Sequence, residues 1–371
     1  MANTAAWSKV IAILTDELRI DPQEIEDSDD FVSLGINSMM ASHLLTVLRD
    51  PLGEPLPRDI FREHQNIGAL RRYYEKLAIA AGPGPSPVAA KPSSAAAATP
   101  LSMLLQNNPA TSSRNIFLLP DGSGSALSYS HLSSIHPSVC VIGLNSPHLR
   151  NPTQYQSSIE SLAATWVKEI YRRQPEGPYI LGGWSAGGFY AYEVAKRILR
   201  DGEEVEKLIL IDSPCRAVFE SVPMEVIEYA AANNLMGKWA TQKPPQWLVE
   251  HFRHTLAAID AYKPLPIEYA DEMETYIIWG RDGVQDEKTL ASSGLDLSVK
   301  VSKFILHEKT DVGPHGWDQL LPSSEFLIGT TSGTHFSMVT KPHVSELSDL
   351  VRSAVLGLGG SNWNRVENTR G

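Results

Sequence analysis

Apolar residues recur along this chain with two different spacings, and the change from one to the other divides it. In the first eighty residues the spacing is helical. Val10, Ile11, Leu14 and Leu18 line one face of a first helix. Met40, Leu44, Leu45 and Leu48 line a second, which starts at or just after Ser38 and ends before Pro51. Ile60 and Phe61 make one short turn, and Ile67 to Leu77 reads as a last helix. Between the first two helices, Asp21, Glu24, Glu26, Asp27, Asp29 and Asp30 form a polar loop with no basic residue. Four helices with a long first loop predict an all-α up-down bundle with one crossover over residues 1–80.

Beyond residue 113 short apolar runs alternate with helical patterns. Strands are predicted at 115–119, 139–144, 179–182, 207–211, 275–279 and 325–329, and helices at 158–173, 187–200 and 343–356. That alternation predicts a mostly parallel α/β sheet over 113–360, with a tail at 361–371. A long insert, about 217–266, carries Phe219, Met224, Trp239, Phe252 and Leu256 at helical spacing and reads as a helical lid. Residues 81–112, with Gly-Pro-Gly-Pro-Ser-Pro at 82–87 and an alanine run further on, are a linker by composition.

Composition narrows the function. A formal charge of −11 argues against nucleic acid or an anionic membrane surface as partner. Cys140 and Cys215 are the two cysteines in the chain, too few for a disulfide framework, so a reducing, cytoplasmic setting is expected. No signal peptide, membrane-spanning run, internal repeat or metal-ligand spacing is found.

The chemistry concentrates at two serines. Gly183-Trp184-Ser185-Ala186-Gly187 follows an apolar strand and opens a helix, which is a nucleophile elbow with Ala186 as one oxyanion donor. The Gly122 or Ser123 amide, in the turn after the first strand, is the expected second donor. His335, in a loop after the last strand, is placed as the base. For the triad acid, Asp212 and Asp282 each end a strand, and the pattern does not separate them. Ser38 precedes the second helix, where a helix cap is the plain reading and a phosphate ester the functional one.

Taken together these segments resemble the C-terminal acyl carrier protein–thioesterase didomain of fungal non-reducing polyketide synthases. The carrier resemblance rests on Phe31-Val32-Ser33-Leu34-Gly35-Ile36-Asn37-Ser38. That of the α/β-hydrolase thioesterase rests on 119–124, 182–188, Ile211-Asp212-Ser213-Pro214-Cys215, 259–264, 310–318 and 335–338. The resemblance implies 4'-phosphopantetheine on Ser38, added by a phosphopantetheinyl transferase, and selects Asp212 as the acid. It also implies release of a polyketide acyl thioester through Ser185, by Claisen (Dieckmann) cyclisation or hydrolysis, with other synthase domains or a partner synthase supplying the chain. Rival expectations are a trans-acting or editing thioesterase, a docking carrier with a weak thioesterase, and release of a nonribosomal peptide. Asn37 stands where carriers usually have Asp, Met39 where they have Leu, and Arg216 where the family continues with Pro.

Overall fold

A computed structural model describes residues 2–18, then 25–80 except 32–33, 35, 37–43, 46–47, 49, 51–53, 55 and 58–59. It further describes 100–366 except 150–151, 153–154, 156, 234, 236–245, 269, 271 and 361. The chain divides into two units, Met1–Ala96 and Ala97–Gly371.

In the first unit, helix α1 (Ala2–Leu18) turns Trp7, Val10 and Leu14 inward. A short α2 (Ile60–Glu63) and α3 (Ile67–Ala80) add Ile60, Ile67, Leu70 and Tyr74 to the same core, and Trp7 and Tyr74 meet at 5.9 Å between ring centroids. Asn66 caps α3 by accepting the Ala69 N–H at 2.8 Å. Of the predicted second helix, Leu44 and Leu45 are helical, and Leu44 and Leu48 are buried in this core. Ser38, Met39 and Met40 lie outside the described residues.

The second unit is built on an eight-stranded sheet: β1 (Ser102–Gln106), β2 (Arg114–Leu119), β3 (Val139–Leu144), β4 (Tyr179–Trp184), β5 (Val205–Ile211), β6 (Glu274–Gly280), β7 (Phe326–Thr331) and β8 (Asn364–Val366). Their spatial order is β1-β3-β2-β4-β5-β6-β7-β8, with β1 and β8 antiparallel to their neighbours and the other pairs parallel. Strand pleat explains the two cores. Phe117 and Leu119 pack on one face with α4 (Ile159–Arg173) and α5 (Ala186–Arg200), whereas Ile116 and Leu118 pack on the other with a C-terminal helix, Val344–Leu356. Each fully buried apolar side chain of this kind stabilises the fold by about 2 kcal/mol. Among the described residues no helix is long and apolar enough to cross a membrane.

Two expectations are corrected here. Residues 102–106, assigned to the linker by composition, form β1, and residues 364–366, assigned to the tail, form β8. Both are short edge strands with one neighbour each, so neither needs the continuous apolar run that marks a central strand. The cap over the sheet is also larger than the insert 217–266. Helices α6 (Met224–Ala232) and α7 (Gln246–Ala261) come from that insert, and α8 (Glu287–Ala291) and α9 (Lys300–Leu306) from the connection between β6 and β7. Val226 and Ala230 of α6 pack on Leu290 of α8 and on Val301 and Ile305 of α9. The remaining helices are α10 (Trp317–Leu320) and α11 (Val344–Leu356).

Candidate active site

Strand β4 ends at Trp184 and α5 begins at Ala186, so Ser185 alone makes the turn between them. Its φ of 56° and ψ of −119° are a strained conformation for a residue with a side chain. The surroundings enforce it. Ser185 N–H donates to Ile211 O at 2.9 Å, and Trp184 N–H donates to the Tyr129 hydroxyl at 2.8 Å, which itself donates to Leu119 O at 2.6 Å. At Gly183 a Cβ would sit 2.1 Å from Gly187 O, so the elbow closes only with glycine there.

From this turn a hydrogen-bonded chain runs inward. His335 Nε2 lies 3.1 Å from Ser185 Oγ, and His335 Nδ1 lies 2.7 Å from Asp212 Oδ2. Asp212 is wholly buried at the end of β5, with φ 42°, and its Oδ1 accepts the Gly280 N–H at 2.9 Å. Burial alone would raise its carboxyl. The charge of Lys309, the bond to His335 and the Gly280 amide together hold it below the usual carboxylate range. Asp282 is elsewhere: its Oδ2 accepts the Gly333 N–H at 2.6 Å and its N–H donates to Gly333 O at 3.1 Å. It fixes the loop that carries His335 rather than touching the imidazole, which accounts for a strand-end aspartate at that position.

The oxyanion candidates separate as well. Gly122 and Ala186 line the chamber beside Ser185 and His335. Ser123 is corrected: its N–H donates to Asp121 Oδ1 at 3.0 Å, so that amide is already engaged. Asp121 is buried, and burial pushes its carboxyl up to about 6 despite the bonds from Ser123. Helix α7 presses on this loop. His251 Nδ1 donates to Gly122 O at 3.2 Å, and burial brings that imidazole down to about 4, so it is neutral. The Phe252 ring lies so close that a Cβ on Gly122 would come within 2.6 Å of it.

A chamber lies over Ser185 and His335. Phe189 of α5, Phe252 and Leu256 of α7, Val301 and Ile305 of α9, and Phe336 make it apolar, while Thr255 and Glu220 add polar groups to those of Ser185 and His335. Trp239, assigned to the lid by pattern, lies outside the described residues. Sequence reasoning missed Val301, Ile305, His251 and Lys309. The two aliphatic residues sit in an ordinary helical pattern, and nothing in the sequence around Lys309 marks it, although it directly precedes the family-like stretch 310–318.

Comparison with known proteins agrees with this architecture. Residues 114–351 match the family model described as thioesterase domain, and residues 8–74 match that described as phosphopantetheine attachment site. The chain is 34% identical to the non-reducing polyketide synthase terA of Aspergillus terreus over 95% of its length. It is 33% identical to the conidial pigment polyketide synthase alb1 of Aspergillus fumigatus over 94%. It spans 18% and 17% of those two proteins. Among solved structures, a NocB thioesterase domain covers 70% of the chain at TM-score 0.50 and 24% identity, with all of that domain matched. A four-domain nonribosomal peptide synthetase covers 93% at TM-score 0.54 and 17% identity, with 25% of that chain matched. These two likenesses bear on fold. An elbow serine under an apolar cap, on a sheet preceded by a helical unit with its own attachment motif, thus finds its counterpart in sequence, and the chain belongs to the thioesterase domain family, joined here to a phosphopantetheine attachment domain.

Proposed function

We propose that this chain takes a polyketide acyl group from a carrier thioester onto Ser185 and releases it by carbon–carbon ring closure. The observation that carries the reading is the Ser185–His335–Asp212 chain opening on an apolar chamber. Ser38 is the residue that would hold phosphopantetheine. Ile36 and Leu44, on either side of it in sequence, are buried in the bundle core, as a carrier motif at that place requires. When bound, the group supplies the thiol to which the acyl chain is esterified.

Ser185 Oγ attacks the thioester carbonyl while His335 Nε2 takes its proton, and the Gly122 and Ala186 amides receive the developing oxyanion. Collapse expels the thiolate, which is protonated from His335, and leaves an ester on Ser185. Asp212 holds the imidazole in the tautomer with its proton on Nδ1. For ring closure His335 removes a proton from a chain carbon flanked by two carbonyls. That carbon attacks the ester carbonyl, the new bond forms, and Ser185 leaves and regains its proton from His335. Water at the same place would hydrolyse the ester instead, and the apolar lining supplied by α7 and α9 favours cyclisation by keeping water out. The chain is supplied by synthase domains, and a phosphopantetheinyl transferase loads Ser38.

The test is made on the whole chain. Coenzyme A and a broad-specificity transferase should add the mass of one arm, and Ser38→Ala should abolish the gain. The loaded protein, given a polyketone thioester, should form an ester on Ser185 and then a cyclised product. A mass gain that survives Ser38→Ala, or product formed undiminished by Ser185→Ala, would sink the reading.

A further inference from the structure

Lys309 lies just beyond α9, and its ammonium is buried with the triad acid. Its side chain is 3% exposed and that of Asp212 is 0% exposed. Nζ stands 3.3 Å from Asp212 Oδ1 and 3.4 Å from Oδ2, and donates to Gly280 O at 3.1 Å. The Phe304 ring faces it at 4.8 Å from the centroid, and the Lys309 N–H is tied to Arg281 O at 2.9 Å. We propose that Lys309 is a positioning residue of the triad, an internal counter-ion that keeps the Asp212 carboxylate ionised and in place for its bond to His335. The inference rests on the triad as read above, not on the identity of the acyl chain.

The physical need is plain. A carboxylate removed from water loses several kcal/mol of hydration unless charge and hydrogen bonds replace it. Among the described residues Asp212 has one backbone donor, Gly280 N–H, besides His335 and Lys309. The Gly280 amide engages Oδ1 and the imidazole Oδ2, while the ammonium stands nearly equidistant from both oxygens and compensates the charge of the whole carboxylate. The β6 residue Gly280 donates its N–H to Asp212 and accepts from Lys309 with its carbonyl, so the three groups form a closed ring of contacts. Among the described residues, the ionisable groups bearing on the carboxylate are Lys309 and His335. Asp282 acts on the His335 loop through Gly333. Lys309 takes no part in proton transfer. Its effect is on the Asp212–His335 pair as a unit: without the nearby cation the pair keeps an added proton to higher pH, and the neutral imidazole that catalysis uses is available over a narrower range.

The readout is the rate at which a fluorophosphonate labels Ser185, from about pH 5 to about pH 9, in the full chain. Lys309→Met should slow labelling roughly 30-fold near neutral pH and move the acid limb of the profile up by about one pH unit. Lys309→Gln, which keeps a hydrogen-bond donor but no charge, should move the limb in the same direction, and it serves if the methionine variant does not fold. In the Asp212→Asn background, Lys309→Met should change the rate by less than about threefold, because the group it acts through is gone. That double variant removes both charges buried at positions 212 and 309 and should melt higher than Asp212→Asn alone. An unmoved acid limb in both single variants, or the same loss in both backgrounds, would overturn the proposal and leave Lys309 as a structural ion pair. Labelling that requires Ser185 but is accompanied by no cyclised product would count against polyketide release and leave this inference standing.

Discussion

Asp121 offers a stability effect whose size follows from its surroundings. It is an acid buried beside the active site with no cation against it among the described residues, held by the N–H and hydroxyl of Ser123. Its carboxyl is pushed up to about 6, from an ordinary value of 3.8. In the folded state it therefore binds a proton more tightly than when unfolded. Between about pH 4 and about pH 6 the native protein holds more protons, so stability falls as pH rises through that window and is level above it. A displacement of roughly two units corresponds to about 3 kcal/mol. Asp121→Asn keeps a carbonyl oxygen for the Ser123 N–H and cannot ionise. At about pH 4 the variant and the parent should melt together, and above about pH 7 the variant should be more stable by up to about 3 kcal/mol, roughly 5–10 °C in Tm for a unit of this size. The assay is scanning calorimetry on the transition of the larger unit, repeated at half-unit steps of pH. A Tm difference that does not grow with pH, or one that grows towards acid, would refute the reasoning.

Two further perturbations test the site. Asp212→Asn should lower Ser185 acylation by about 10⁴-fold, since an amide facing Nδ1 imposes the wrong tautomer, whereas Asp282→Asn, whose oxygen still receives Gly333 N–H, should cost no more than about tenfold. Rates of thioester cleavage in variants checked by melting decide between them, and the reverse ranking would move the acid to Asp282. Phe252→Ala removes the ring that covers Gly122 and should raise the ratio of hydrolysed to cyclised product at unchanged acylation, read by chromatography beside the mass of the acyl-enzyme. An unchanged ratio would deny Phe252 a role in excluding water.

Much of this architecture was legible because the central strands are buried on both faces. Val139–Leu144 is apolar throughout, and the run ends where the strand ends. The elbow was legible for a related reason: Gly183 must be glycine for the turn to close, and the reacting hydroxyl must sit at its apex, Ser185. Long-range pairing was not. Asp212 and Asp282 end adjacent strands, and which of them reaches His335 depends on the loop after β7, whose path no local pattern encodes. Ser123 was a reasonable oxyanion donor by position, but its amide is taken up by the carboxylate of Asp121, two residues away. Lys309 was invisible because a buried lysine and a solvated one are spelled the same way; only the carboxylate placed beside it by the fold, 97 residues earlier in sequence, distinguishes them.

The two edge strands have a consequence for handling the larger unit. A parallel sheet that simply stopped at β3 and β7 would present rows of unpaired amides and carbonyls to any extended chain nearby, an invitation to aggregation. Here one border is covered by β1, whose register breaks between Leu104 and Gln106. The other is covered by Asn364-Arg365-Val366, polar at its first two positions, with Trp363 before it packed on Tyr276 and donating its indole N–H to Ser353. A recombinant fragment cut ahead of Trp363, or begun after Gln106, would strip a guard from the sheet and bare Leu327 and Ile328 or the Val141–Leu144 side to self-association. The useful excision points therefore lie outside both guards, at places composition alone would have called dispensable.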